Sequence, residues 1–415
     1  MSRDMGAASG TRAARRASYG QFDPGLDSYL LADLCVRPGG IQTGPFGSQL
    51  HERDYVADGT PIITVEHLGE NFVSHEGVPR VSDRDRLRLS KYLLRTGDIV
   101  FSRVGSVDRR ALVRSTEDGW LFSGRCLRVR PNRELVDSLY LSYYFGLPSF
   151  KAYVRAVAVG ATMPSLNTEI LSNMSIRLPK LSEQRAIAEV LGALDDKIEA
   201  NRRLAGLCDS TWRAIAASEL DGALVPLSHL ARFVNGGAYT KGASGTGRVV
   251  IRTPELTSGP SGSTIYSDRD VPADQLARPG DLLFVWSGSL TAHRWFRAEA
   301  IINQHIFKVI PRAGVPLWLL HDRILGLLPE FISIAADKAT TMGHIQRHHL
   351  DTPVLLPGPD KLAELDDACA PIWIRALAAE RESLVLTQLR DFLLPKLVSG
   401  ELRVGKAEAL VEQAV

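Results

Sequence analysis

Apolar residues recur about every 3.5 positions in two long segments of the chain. In residues 181–222 the repeat positions are Ile187, Leu191, Leu194, Ile198, Asn201, Ala205, Cys208, Trp212 and Ile215. In residues 359–405 they are Leu365, Cys369, Ile372, Ala376, Ala379, Ser383 and Leu386. This period predicts two long coiled-coil helices, which we expect to pack antiparallel. Pro395 is expected to bend or end the second helix. The alternative is two unrelated amphipathic helices, each packed on its own domain.

Shorter apolar runs, punctuated by Gly and Pro, fill the rest of the chain. They predict strands at 61–65, 98–104, 126–129, 281–286 and 306–310. Two aromatic and apolar stretches, about 135–153 and 316–335, are expected to be helices. The mixture predicts an α/β (mixed α+β) fold rather than an all-β fold.

The chain contains the same plan twice. Arg95-Thr-Gly-Asp-Ile-Val-Phe101 matches Arg278-Pro-Gly-Asp-Leu-Leu-Phe284, and four weaker matches on either side keep the same order. We therefore expect two pseudo-repeated globular domains separated by two long antiparallel coiled-coil helices. The predicted division is a flexible leader (1–20), a first domain (21–180), a central helix (181–222), a second domain (223–358), a C-terminal helix (359–405) and a tail (406–415).

Composition and charge narrow the class of protein. The 415 residues are 45% hydrophobic and 23% charged, which is typical of globular chains. No apolar run is long enough to span a bilayer, and the leader lacks the apolar core of a secretory signal. The four cysteines form no CxxC pair, so we expect reduced thiols in a cytoplasmic protein. Residues 80–133 hold 14 Arg and Lys against 6 Asp and Glu, which suits a polyanionic ligand or a solvated surface.

Catalytic motifs are not evident in the sequence. A Walker A loop, a Gly-x-Gly-x-x-Gly turn and a Gly-x-Ser-x-Gly elbow are absent. The cluster from His344 to His349 lacks the Glu that a metalloprotease needs after its first His, so no metal site is predicted. The segment instead suits a polar or nucleic-acid-facing loop.

Polar and basic residues in Gly-rich loops are the chemistry that remains. Such side chains can contact base edges and phosphates. The predicted DNA-binding residues are Thr43, Ser48, Gln49, Arg103, Arg109, Arg110, Arg125, Ser165, Asn167, Tyr239, Lys241, Ser287, His293, Arg294 and His344. The predicted helix seam and subunit-docking residues are Ile187, Leu191, Leu194, Ile198, Asn201, Leu365, Ile372 and Leu386.

Several of these motifs resemble the specificity subunits of type I restriction–modification systems. The most specific is Pro179-Lys-Leu-Ser-Glu-Gln-Arg-Ala-Ile-Ala-Glu-Val-Leu191, at the start of the central helix. Gly44-Pro-Phe-Gly-Ser-Gln-Leu50 and Leu393-Leu-Pro-Lys-Leu-Val-Ser-Gly-Glu-Leu402 support it, whereas the second helix lacks the Gln-Arg pair at its start. The resemblance covers roughly residues 25 to 405.

The resemblance implies a non-catalytic subunit with two target-recognition domains, each reading half of a bipartite target in double-stranded DNA. Its helices would set the spacer and dock two copies of a DNA adenine methyltransferase subunit, which binds S-adenosylmethionine. An ATP-dependent endonuclease subunit would then join. Two alternatives remain: a DNA-binding scaffold of another multi-subunit defence system, and a self-sufficient nuclease, which would need a carboxylate cluster.

Overall fold

The computed structural model describes residues 26–46, 49–160, 163–217, 221–337 and 343–414. The chain divides into two units, Met1–Asp195 with Gln388–Val415, and Asp196–Thr387. These bounds cut through both long helices, so each unit contains a globular part and one segment of each long helix. The predicted leader and Ser48 lie outside the described residues.

The first unit has two four-stranded sheets, ordered β2-β9-β6-β7 and β3-β5-β4-β8, and a separate β1–β10 pair. Its strands are β1 (Asp27–Leu30), β2 (Ile41–Thr43), β3 (Tyr55–Val56), β4 (Thr60–Ile63), β5 (Arg80–Val81), β6 (Ile99–Ser102), β7 (Arg110–Leu112), β8 (Leu121–Phe122), β9 (Cys126–Val129) and β10 (Ser175–Leu178). Its helices are α1 (Asp83–Arg88), α2 (Ser138–Gly146), α3 (Pro148–Val157), α4 (Thr168–Ser172) and the first part of α5 (Leu181–Ala217).

The second unit repeats this arrangement, with sheets ordered β12-β19-β16-β17 and β14-β13-β18-β15 and a β11–β20 pair. Its strands are β11 (Ala223–Pro226), β12 (Ala231–Asn235), β13 (Arg248–Ile251), β14 (Tyr266–Ser267), β15 (Leu276–Ala277), β16 (Leu282–Val285), β17 (Thr291–Arg294), β18 (Ala300–Ile302), β19 (Ile306–Pro311) and β20 (Pro353–Leu356). Its helices are α6 (Leu227–Leu230), α7 (Thr253–Thr257), α8 (Leu317–Asp337) and most of α9 (Pro359–Ser399). Helix α10 (Val404–Ala414) belongs to the first unit.

Short 3-10 helices complete both units. They cover Leu31–Leu34, Glu52–Asp54, Val65–His67, Ser90–Tyr92, Ser115–Glu117, Ala273–Gln275 and Arg347–Asp351.

The predicted repeat is confirmed by strand pairing. In the first unit β4 runs parallel to β8, and in the second β13 runs parallel to β18, whereas the other strand pairs in these sheets are antiparallel. All four residues of β6, and all four of β16, are buried. Burial on both faces explains why these two strands are continuous apolar runs in the sequence.

The repeated Gly-Asp motif forms the turn before these buried strands. The Asp98 carboxylate accepts a hydrogen bond from the backbone N–H of Arg95 at 2.8 Å, and Asp281 does the same for Arg278 at 2.6 Å. The glycine between them has a φ of 91° in the first unit and 100° in the second, which a side chain would disfavour. The motif recurs because both its residues are needed to start the strand.

The two long helices pair antiparallel within each unit, as predicted. In the second unit, the buried cluster of Trp212 on α5 includes Cys369 on α9, while that of Cys208 includes Ala376. As the residue number increases along α5, the number of its packing partner on α9 decreases, so the two helices run in opposite directions. In the first unit, Arg390 on α9 lies 2.7 Å from Asp195 on α5.

The predicted seam residues lie inside this helix packing. Ile187, Leu191, Leu194, Ile198, Asn201, Leu365 and Leu386 are buried, and Ile372 is partly buried. The side-chain N–H₂ of Asn201 has no hydrogen-bond partner among the described residues. Helix α9 continues past Pro395 to Ser399, so this proline does not end the helix, and the alternative, a bend at Pro395, stays a prediction. The segment expected to be a tail is largely helical, since α10 covers it to Ala414.

Cys35, Cys126, Cys208 and Cys369 are buried and unpaired. Across the described ranges, no helix is long and apolar enough to cross a membrane.

Candidate nucleic-acid interface

Two loops meet at the end of β6 in the first unit. The backbone N–H of Leu166 donates to the carbonyl of Arg103 at 2.8 Å, and the N–H of Gly105 donates to Pro164 at 2.9 Å. The N–H of Arg103 in turn donates to the carbonyl of Arg125 at 2.8 Å. Arg103, Arg125 and the segment from Pro164 are thus fixed together on a backbone frame, although they are far apart in sequence.

The second unit builds the same frame at the end of β16. The N–H of Ile345 donates to Trp286 at 3.1 Å, and the N–H of Gly288 donates to Gly343 at 2.9 Å. The N–H of Trp286 donates to His305 at 3.2 Å. Trp286 therefore occupies the place of Arg103, and His305 the place of Arg125.

Glycines allow the Gly-rich loops to approach these frames. A Cβ atom on Gly44 would lie 2.1 Å from the carbonyl oxygen of Ser123, and one on Gly236 would lie 2.2 Å from that of Ile302. Because no side chain fits at such distances, both positions require glycine. The loops predicted from the sequence therefore pack directly against the turns that carry Arg125 and His305.

Arg103 is held over an aromatic ring in the first unit. Its guanidinium lies 5.4 Å from the ring centre of Phe46 and donates to the carbonyl of Gly124 at 3.2 Å. Its Nε atom is buried without a partner among the described residues. Phe46 is 52% exposed, so part of this aromatic ring is accessible to solvent beside a cation.

Aromatic groups replace this arginine in the second unit. The Trp286 ring stacks on Phe307 with ring centres 5.6 Å apart, and its N–H donates to Asn235 at 2.9 Å. The ring of His344 meets Trp286 edge-on at 6.2 Å. Ser287 and His344 form an isolated β-bridge, which matches the bridge between Val104 and Ser165 in the first unit.

Most of the other predicted residues form contacts within the protein. The Asn167 side chain caps α4, accepting from Ile170 N–H at 2.7 Å. Gln49 accepts from the Tyr92 hydroxyl, and Tyr239 donates its hydroxyl to Gln275. Thr43 lies in β2 opposite Leu127, and Arg109 donates to the Leu68 carbonyl. The Ser165 hydroxyl donates to the Val159 carbonyl, and the His293 ring bonds the Thr291 hydroxyl. Lys241 and Arg125 are exposed.

Arg110 is not a base-contacting residue in this structure. Its side chain is 3% exposed, and it donates to Glu70 at 3.0 Å and to the Ser142 carbonyl at 2.7 Å. Burial lowers the pKa of Arg110, and the neighbouring Glu70 opposes that shift. The assignment of Arg110 as a DNA-binding residue is therefore corrected, because its guanidinium is bound to groups inside the protein.

Arg294 is corrected for the same reason. It is 3% exposed and binds the carboxylates of Asp209 at 2.9 Å and Glu380 at 2.7 Å. Burial would lower the pKa of Arg294, but the two carboxylates raise it above its ordinary value. In the second unit this arginine therefore joins strand β17 to both long helices and cannot reach a base.

Some of the basic side chains in the stretch 80–133 are buried or form ion pairs, so they contribute less positive charge to the surface. Arg128 is buried and donates to the carbonyl of Gly39 at 2.7 Å, and Arg130 forms a 2.7 Å ion pair with Asp98. Arg84, Arg95 and Arg125 remain exposed. The net positive charge of this stretch thus overstates what a DNA backbone would meet.

Sequence reasoning missed Phe46, Gln304 and His305, which the structure places at the candidate interface. Phe46 lies inside a motif that the sequence singled out, so its aromatic ring was a readable signal. Gln304 and His305 stand between two apolar strands and have no signal in the sequence, because only pairing with Trp286 brings them to the loops. In the described ranges, no group of three His, Cys, Asp or Glu residues is arranged to hold a metal ion.

The chain is similar to known DNA specificity proteins. A family described as "Type I restriction modification DNA specificity domain" matches residues 48–206. The putative type I restriction enzyme MjaX specificity subunit of Methanocaldococcus jannaschii is 29% identical over 146 residues, 34% of this chain and 34% of that protein. The MjaIX specificity subunit of the same organism is 23% identical over 310 residues, 65% of this chain and 70% of that protein.

These matches differ in extent. The chain spans 34% and 39% of the length of the first two relatives, the MjaX and MjaVIII subunits. The fold is similar to a crystal structure of the type I restriction–modification S subunit from M. genitalium, with a TM-score of 0.55 at 13% identity. That similarity covers 91% of this chain and 97% of the other. It therefore extends the likeness in fold over both units.

Proposed function

We propose that this chain is the sequence-specific DNA-recognition subunit of a type I restriction–modification complex, because residues 48–206 match the family described as "Type I restriction modification DNA specificity domain". Each globular part reads one half of a bipartite target in double-stranded DNA. The long helices set the gap between the halves.

One observation carries this proposal: the loop frame at the end of β6 is built again at the end of β16, with different side chains on it. A shared backbone with different polar and aromatic groups is what two readers of different sequences require. Arg103 on Phe46 presents a cation in the first unit, whereas Trp286 and His344 present rings in the second.

Methylation and cleavage belong to partner subunits in this proposal. Two copies of an adenine methyltransferase, which binds S-adenosylmethionine, dock on the long helices, and an ATP-dependent endonuclease joins them. Leu207 on α5 and Ile374 on α9 support such docking, since their apolar side chains are 64% and 63% exposed. The buried seam residues act indirectly by holding these faces in place.

Methylome sequencing of cells with and without this gene tests the proposal. We expect one split motif whose adenine methylation disappears with the gene. In cells that carry Arg103→Ala, one half of the motif should lose selectivity at one position, by roughly 1–3 kcal/mol if the arginine contacts guanine. A methylome that does not depend on the gene would refute the proposed function, and equal blurring of both halves would refute the two-reader arrangement.

A further inference from the structure

The two loop frames share a tight turn whose outward side chains differ. In the first unit, turn 123–126 is closed by a hydrogen bond from the N–H of Cys126 to the carbonyl of Ser123 at 2.9 Å. In the second, turn 303–306 is closed by the same bond from Ile306 to Asn303 at 3.1 Å. Each turn joins the end of a strand of one sheet to the beginning of a strand of the other.

Neighbouring backbone fixes both turns in the same way. The first residue of each turn donates its N–H to the end of the parallel partner strand, Ser123 to Ile63 at 2.9 Å and Asn303 to Ile251 at 3.2 Å. The last residue of each accepts from a loop glycine, Gly44 or Gly236, at 3.1 Å. With so many backbone groups engaged, what differs between the turns is their side chains.

Gln304 is the exposed residue of the second turn and is oriented by its neighbour. Its amide nitrogen lies 3.1 Å from Nε2 of His305, and because that amide group only donates, the ring nitrogen accepts. One amide hydrogen and the amide oxygen then have no partner among the described residues. A donor and an acceptor side by side match the N7 and N6 groups of adenine in the major groove.

We propose that Gln304 is a specificity-determining residue of the second half-site and selects an adenine there, with His305 as its positioning residue. This inference rests on the proposed function and assigns a base to it.

Methylome sequencing of cells in which the gene carries Gln304→Ala tests this inference. We expect one position of one half-site to change from adenine to a mixture of bases, with a loss of preference of roughly tenfold or more, and the other half-site to stay intact. Gln413→Ala is the matched control, since Gln413 is exposed on α10 in the other unit. An unchanged motif with Gln304→Ala would overturn the inference while leaving the proposed function standing.

Gln304→Glu decides the case in which the alanine variant loses all methylation. Glutamate has nearly the same shape but accepts only, so the selected base should change from adenine to cytosine. An unchanged wild-type motif would overturn the inference. Loss of methylation with both variants would overturn it too, because substitution of an exposed base-contacting residue should change one position of the motif and not abolish methylation. His305→Ala should weaken the adenine preference less than Gln304→Ala does, as expected for a positioning residue.

Discussion

Arg294 is surrounded by carboxylates that belong to the long helices of the second unit. It bonds Asp209 and Glu380 and lies 4.5 Å from the ring centre of Trp373. Burial would raise the pKa of Asp209, but Arg294 holds it below the ordinary value. Burial raises the pKa of Glu380 in spite of the same arginine. The arginine is therefore a structural cation between two acids.

Arg294→Ala should destabilise the second unit by about 3 kcal/mol, because it leaves two partly buried carboxylates side by side. Urea unfolding of the purified chain measures this loss. Arg202→Ala is the matched control, because Arg202 is exposed on α5, and we expect a change within about 0.5 kcal/mol. Equal stability of the two variants would show that the ion pairs contribute nothing.

His321 gives the second unit a pH dependence. It is buried between the rings of Trp212 and Trp373, and burial lowers its pKa to about 4, with the Ala292 carbonyl opposing the shift. Between the unfolded value near 6.5 and 4, only the unfolded chain binds the proton. Stability is therefore full above about pH 6.5 and is lost as the pH falls towards 4.

Over that interval we expect His321 to cost the folded state about 3 kcal/mol. Comparing unfolding free energies of the wild type and His321→Gln at pH 7 and pH 4 isolates the contribution, because the other titrating groups cancel. Glutamine keeps a donor for the Ala292 carbonyl, which His321 bonds at 3.1 Å. Identical pH slopes for the two proteins would contradict this prediction.

At the scale of elements, close approach of the long helices depends on small residues. Ala205 and Cys208 on α5 pack against Ala376 and Ala379 on α9 in one buried cluster. Side chains of this size let two helix backbones come near each other, and dense packing leaves no room for larger ones.

Ala379→Leu should destabilise the helix pair by about 1–3 kcal/mol through overpacking. Its neighbour supplies the control, since Ala378 is exposed and Ala378→Leu should change stability by no more than about 0.5 kcal/mol. Thermal unfolding of both variants measures the difference. If Ala378→Leu proved the more harmful of the two, the assigned face of α9 would be incorrect.

The sequence predicted the long elements better than the short ones, for a physical reason. The helix seams repeat over many turns, and β6 and β16 are fully buried apolar runs, so both carry a strong pattern. Strands such as β3 and β8 have only two residues each, and their partners, not their own residues, determine them.

The repeat of the two units could be predicted from the sequence, but the candidate interface could be predicted only in part. Gly44 and Arg103 were found because the loops have a recognisable composition. Arg294 was misplaced because its partners are 85 and 86 residues away, and nothing local shows that it is buried. Gln304 was missed because nothing in the nearby sequence marks it, and only the pairing of its turn with Trp286 brings it to the loops.

In the proposed function, the long helices are the spacer between two DNA-reading parts. The seam repeats every seven residues, so inserting seven residues into α5 after Arg202 and seven into α9 after Arg381 keeps the apolar positions in phase. Each insertion adds roughly 10 Å of helix, which corresponds to about three base pairs. Both helices need the insertion because Ala205 packs against Ala379 and each must keep a partner.

We expect methylome sequencing of this variant to give both half-sites with their bases unchanged and a longer gap between them. In the proposed function, bases are read by loops such as those of Arg103 and Gln304, which the insertions do not touch, whereas the gap depends on helix length. A variant with alanine in place of Arg202 and Arg381 controls for the altered surface and should keep the wild-type gap. Changed bases with an unchanged gap, or a folded variant without any methylation, would contradict the spacer role.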